Sequence, residues 1–165
     1  MTRWSGLLCT LLLSAGALAA PGMQELFSGC ATGTPTHDVL ARPIPADFWQ
    51  HGPVLAVFWS TDCAFCHRHN DRLNRLLKAE PGAAVVGIAV DGDAAGVQAT
   101  VKKRGYGFPV IQDRCGLREQ LTTRKLVPMT CWLGAAPSQP QCIPGEMAED
   151  DLRDLLRQAR SSRHS

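Results

Sequence analysis

Two cysteines and a histidine carry the chemistry most open to this sequence: Cys63-Ala64-Phe65-Cys66-His67. The spacing fits a redox-active C-x-x-C dithiol, and equally a C-x-x-C-H site in which both thiols bond a c-type haem and His67 ligates the iron. A thiol at the start of a helix faces unpaired backbone N–H groups and the positive end of the helix dipole, so its thiolate is favoured. Two intervening residues put the second sulfur one turn on, close enough for a disulfide. Cys63 would then attack and Cys66 would resolve the mixed disulfide. A third reading is copper or zinc handling by Cys63, Cys66 and a nearby histidine, because thiolate and imidazole suit soft metals. Arg68, His67 and His69 add local positive charge, and Asp62 works against it.

These residues need elements to hold them. Val54 to Trp59, "VLAVFW", is a continuous apolar run between Gly52-Pro53 and Ser60-Thr61-Asp62, which predicts a strand buried on both faces. From Cys63 to about Glu80 the pattern is helical, with Leu73, Leu76 and Leu77 on one face, and Pro81-Gly82 ends it. "AAVVGIAV" is a second buried strand, "DGDAAGVQATVKKRG" a helix closed by Gly105, and "FPVIQD" a short third strand. "GLREQLTTRK" makes a short helix or turn. Val127 to Leu133 and "QPQCIPG" flank the loop 134–138 as a hairpin would, and Asp150 to Ala159 closes the chain as an amphipathic helix. The order implies an α/β fold, with right-handed parallel crossovers beside an antiparallel pair and helices on both faces of a mixed sheet. Residues 54–160 form that domain, 20–53 an irregular lead-in with a short strand or turn near Asp38 to Ala41, and the tail "RQARSSRHS" a frayed, solvated end.

The first 19 residues look like an address: a basic n-region at Arg3, an apolar h-region, and Ala17-Leu18-Ala19 before a cleavage point at Ala20. The expectation is an exported, periplasmic protein in a compartment where disulfides persist, a retained N-terminal anchor being the minor alternative. Of seven cysteines, loss of Cys9 with that segment leaves six, an even set. Cys131 and Cys142 could face one another across the hairpin as a structural disulfide, leaving Cys30 for Cys115. The rival is a relay in which Cys131 exchanges with the active pair. At 165 residues and 45% apolar composition the chain suits one compact domain, expected as a monomer. A net charge of +2 gives no field that would argue for nucleic acid or an anionic membrane.

Against this background "VLAVFWSTDCAFC" resembles the opening of thioredoxin-like proteins. "VVGIAVDGD", "YGFPVIQDRCG", "LVPMT" and "GEMAEDDLRDLL" are similar to successive landmarks of their exported TlpA/ResA branch, and "CHRHNDRL" somewhat resembles periplasmic isomerases. The resemblance spans roughly Val54 to Leu156. It implies a thioredoxin-like fold, and a disulfide reductase, oxidase or isomerase acting on cysteine-containing exported proteins, reduction being favoured. A reductase would draw electrons from a membrane thiol-disulfide donor and need no cofactor beyond the Cys63-Cys66 disulfide. It also implies a cis Pro128 opposite the dithiol, with the Val127 backbone left to pair with substrate; Phe65 and Trp59 are further substrate-side candidates, Trp59 being otherwise core packing beside the site. Haem fits this order poorly, because a c-type cytochrome is largely helical, although Met129 beside Pro128 could serve as a distal ligand. Two departures touch proton chemistry. Thioredoxins carry an acid where this chain has Val57, and ResA-like reductases a glutamate where it has His69, which is thus the candidate proton-transfer group or else a solvated helix residue.

Overall fold

The computed structural model describes residues 26–134 and 141–163, so the leader-like segment 1–19 lies outside the described residues. Five strands make one sheet: β1 (Val54–Trp59), β2 (Ala84–Ala89), β3 (Val110–Gln112), β4 (Met129–Leu133) and β5 (Gln141–Pro144). Their spatial order is β3-β2-β1-β4-β5. The pairs β1–β2 and β2–β3 are parallel, while β1–β4 and β4–β5 are antiparallel. The helices that lie wholly within the described residues are α1 (Asp47–Gln50), α2 (Ala64–Ala79), α3 (Ala94–Arg104), α4 (Leu117–Leu121) and α5 (Glu149–Arg163).

All six residues of β1 are buried, as a central strand covered on both faces requires. Period-two alternation divides them. Leu55, Val57 and Trp59 join a cluster with Leu73 and Leu76 of α2, Val97 and Val101 of α3, and Leu152 and Leu156 of α5. Val54, Ala56 and Phe58 join Phe27, Ile44, Trp49 and Leu117 on the opposite face. The segment before β1 is irregular, yet it supplies much of the second layer. Asp38 accepts from the backbone N–H groups of Leu40 and Arg42, both at 2.9 Å, and Arg42 reaches the carbonyls of Tyr106 and Phe108 at 2.9 and 3.0 Å.

Helix ends follow their local chemistry. Asp93 caps α3 by accepting from Gly96 N–H at 2.7 Å, and Gly105 ends it in the left-handed conformation at φ 64°, after the basic turn Lys102-Lys103-Arg104. The C-terminal helix corrects the expectation of a frayed tail. It continues to Arg163, whose guanidinium donates to the Phe48 and Pro53 carbonyls at 3.5 and 3.2 Å, while Arg160 reaches Glu80 at 3.6 Å. Orphan carbonyls before β1 hold the end of the chain, a long-range match with no trace in a local basic run. Among the described residues no helix is long and apolar enough to cross a membrane.

Candidate active site

The dithiol sits where β1 hands over to α2. Cys63 is the N-cap of α2, in extended backbone, and its Sγ accepts the Cys66 N–H at 3.1 Å. It is disulfide-bonded to Cys66, with Cα atoms 5.2 Å apart. The two sulfurs have unequal surroundings: Cys63 is half-buried, whereas Cys66 is fully buried. The preceding loop is tied down twice. Asp91 accepts from the Ser60 hydroxyl and from Thr61 N–H at 3.0 Å, and the Thr61 carbonyl takes the Nε2–H of His67 at 2.9 Å.

Opposite the dithiol, the Val127–Pro128 peptide is cis, and the Val127 carbonyl lies 3.9 Å from Cys63 Sγ. Phe65 is 60% exposed, with the Arg68 guanidinium 4.6 Å from its ring centroid. Leu126 is 64% exposed. Sequence reasoning passed over Leu126, although an apolar residue directly after Arg124-Lys125 and before Val127-Pro128 was a usable signal. Trp59 needs correction: it is fully buried and cannot touch a substrate. Gly87 of β2 makes room for it, since a Cβ there would stand 3.3 Å from the indole Nε1 and 3.0 Å from the Phe108 ring. Tyr106 packs edge-on to it, centroids 6.0 Å apart.

His69 is neither solvated nor poised as a base. It is fully buried, Met147 N–H donates to its Nδ1 at 3.2 Å, and Nε2 stands 3.2 Å from the Thr130 hydroxyl. A backbone N–H can only donate, so Nδ1 is the lone pair and Nε2 carries the proton. Burial is the main reason the ring's pKa falls to about 4, with Glu146 opposing and Arg72 assisting. The ring thus joins α2 to β4 and to the turn before α5, where Gly145 N–H also donates to the Pro128 carbonyl at 2.8 Å. The sign of its pH effect follows. Between pH 6.5 and 4 the unfolded chain binds the proton that the folded chain refuses, so stability falls as pH drops through that window. Urea unfolding across this window should show a loss on the order of 3 kcal/mol attributable to this group. His69→Gln should remove that share of the pH dependence, and an unchanged drop in the variant would contradict a neutral ring.

The positive charge that Arg68 and His69 could bring to the dithiol is largely spent. Arg68 and Arg72 both bind Glu146, at 2.8 and 2.5 Å, and the Arg68 guanidinium, seconded by Arg72, holds that carboxyl below its usual range. With His69 neutral, the Cys66 N–H and the start of α2 remain as the stabilisers of a Cys63 thiolate.

The other cysteines pair away from this site, Cys30 with Cys115 and Cys131 with Cys142. Cys131 and Cys142 are directly opposite residues of the β4–β5 ladder. Alternation along β4 sends Thr130 toward His69 and α2, and Cys131 into the cluster on the other sheet face with Cys30 and Cys115. The sheet therefore stands between Cys131 and Cys66, which argues against the relay. Met129 is also fully buried on that far face, and His67 Nε2 is engaged with Thr61, so neither is placed to ligate a haem iron at the dithiol. Among the described residues no group of three or more His, Cys, Asp or Glu side chains is gathered for a metal ion.

No known family profile and no curated protein matches the sequence. Solved structures do. A secreted Mycobacterium tuberculosis disulfide oxidoreductase, homologous to E. coli DsbE, aligns over 74% of this chain and 93% of its own at 21% identity and a TM-score of 0.62. A thiol:disulfide interchange protein of the thioredoxin family from Chlorobium tepidum aligns over 74% and 90%, at 20% identity and TM-score 0.64. A secreted thiol-disulfide isomerase from Corynebacterium glutamicum aligns over 81% and 86%, at 22% identity and TM-score 0.60. With this sheet order, a dithiol capping the helix after the central strand and a cis-proline facing it, the chain has the thioredoxin-like fold.

Proposed function

We propose that the protein is an exported thiol-disulfide oxidoreductase in which Cys63 attacks and Cys66 resolves. The observation that carries this reading is the asymmetry of the pair: a half-buried Cys63 whose sulfur receives the Cys66 N–H at 3.1 Å, bonded to a Cys66 that is fully buried. In the reducing direction the Cys63 thiolate attacks a substrate disulfide, and one substrate sulfur leaves as thiolate. The Cys66 thiol then gives up its proton and its sulfur attacks Cys63, closing the Cys63-Cys66 disulfide and releasing the second substrate sulfur. Two electrons and two protons pass from the dithiol to the substrate.

An extended substrate segment pairs with the Val127 backbone beside Cys63, and the exposed Phe65 and Leu126, next in sequence to Cys66 and Val127, offer it apolar contacts. Export is supported by the leader-like first 19 residues, by three disulfides, and by the secreted proteins among the structural neighbours. The substrates are cysteine-containing exported proteins, and a membrane thiol-disulfide donor restores the dithiol. The resemblance to the TlpA/ResA branch favours reduction over oxidation.

The test is the equilibrium potential of the Cys63-Cys66 pair against glutathione, together with insulin reduction. A value near that of thioredoxin, about −270 mV, is expected, and one near −120 mV would make the protein an oxidant. Stoichiometric copper or zinc binding lost in Cys63→Ser, with no insulin reduction, would replace the redox reading by metal handling.

A further inference from the structure

Resolution requires Cys66 to lose a proton from a site that bulk water does not reach, since this residue is fully buried. The acids and bases expected to take that proton do not serve. Val57 is apolar, His69 has both ring nitrogens occupied, and Asp91 is held by Ser60 and Thr61. Yet a polar cluster lies behind the dithiol. Among the described residues six buried side-chain N or O atoms have no partner in hydrogen-bond geometry, and five of them belong to Trp59, His67, Asn70 and Tyr106.

Their arrangement is specific. The Thr61 carbonyl can only accept, so His67 Nε2 bears a hydrogen, and in the neutral ring the lone pair is at the buried, unpartnered Nδ1. Asn70 is three residues further along α2 than His67 and four beyond Cys66, on the same flank of the helix, and is 0% exposed with neither amide atom in full hydrogen-bond geometry. Tyr106 is 2% exposed. Burial is the first cause pushing its phenol up to about 12, so it stays protonated, and the neighbouring Asn70 amide opposes the rise without reaching full hydrogen-bond geometry. The Trp59 ring lies 6.3 Å from His67 and 6.0 Å from Tyr106, centroid to centroid, and packs in one cluster with Cys66. Donors (the amide and the phenol) and acceptors (Nδ1 of the neutral ring and the amide oxygen) are thus buried along one flank of α2 and around the Trp59 ring. Buried polar groups of this kind are satisfied by internal water.

We propose that His67, Asn70 and Tyr106 enclose a buried water site behind the dithiol, and that this water passes the Cys66 proton to Nδ1 of His67 during resolution. The inference rests on the oxidoreductase reading. The Cys66 S–H bond breaks, the proton reaches Nδ1 through the water, and the Cys66 sulfur bonds to Cys63. The departing substrate thiolate recovers the proton from the imidazolium by way of solvent. The groups facing His67 are Cys63 and Asn70 from its own helix, and Thr61 and Trp59 from the β1 side, with Asp91 behind Thr61. Beyond the Trp59 ring lies Tyr106, from the segment after α3, its centroid 6.0 Å from that ring, and the Asp71–Arg104 ion pair at 2.9 Å acts on it.

Stopped-flow reaction of the reduced protein with dithiobis-nitrobenzoate separates the steps, because one coloured thiolate leaves when Cys63 attacks and a second when Cys66 resolves. His67→Gln keeps an amide donor for Thr61 but has no basic nitrogen. Its second phase should slow by about a hundredfold or more at neutral pH, and recover only as hydroxide replaces the base, with the first phase within about twofold of wild type. Tyr106→Phe, which removes only the hydroxyl, should slow the second phase selectively and by less. A second phase unchanged in His67→Gln, or both phases slowed equally, would overturn the assignment. So would a high-resolution crystal structure with no ordered water among the three side chains. A wild-type protein that releases no second thiolate would instead overturn the oxidoreductase reading itself.

Discussion

Cys63→Ser is expected to lower disulfide-reducing turnover by at least about a thousandfold, since the step that forms the mixed disulfide has no other nucleophile. Folding should survive, because the Cys63-Cys66 bond spans only three residues and therefore constrains little of the unfolded chain. Serine is also a good N-cap, so it replaces Cys63 as acceptor for the Cys66 N–H at the start of α2. Cys66→Ser should behave differently. Its Cys63 thiol still attacks, but nothing follows from the buried side, so a covalent mixed disulfide with substrate should accumulate toward one per protein. Mass spectrometry without reductant reads both outcomes. If Cys66→Ser failed to trap and Cys63→Ser trapped instead, the roles of the two cysteines would be reversed.

Removing the other disulfides should cost stability and leave the chemistry in place. The Cys30-Cys115 bond closes 85 residues and the Cys131-Cys142 bond closes 11. Chain-entropy arithmetic then gives losses of about 4.6 and about 2.8 kcal/mol for the Cys30→Ser/Cys115→Ser and Cys131→Ser/Cys142→Ser double variants. The first should be the more damaging, because it also frees the segment that supplies Phe27 and Cys30 to one face of the sheet. Denaturant unfolding measures the losses, and insulin reduction by the folded fraction measures the chemistry. A Cys131→Ser/Cys142→Ser protein with normal stability and no turnover would restore the relay that the sheet's alternation argues against.

Much of this molecule is legible along the chain. The run "VLAVFW" is the central strand, the leucines after Cys63 form the inner face of α2, and Gly105 ends α3, because burial on two faces, helical period and left-handed capping each leave a local signature. The dithiol belongs with these, since its three-residue separation and its place at a helix start are both local quantities.

The histidines and the tail were not legible in this way. His67 and His69 look alike in sequence, two imidazoles on the first turns of one helix. Tertiary structure turns the second into a neutral strut by bringing up Thr130 and Met147, 61 and 78 residues away, and gives the first a buried lone pair by turning it onto Thr61. Trp59 changes from a substrate contact to core because Gly87, on another strand, leaves room for its indole. Arg163 becomes an anchor because carbonyls 110 and 115 residues earlier lack partners. Sequence alone determined which elements form and where the reactive sulfurs sit, since propensity and periodicity act over a few residues. Which imidazole nitrogen is free, which sulfur is reachable and which charges are already paired depend on groups that meet only when the sheet closes, and tertiary structure decided those.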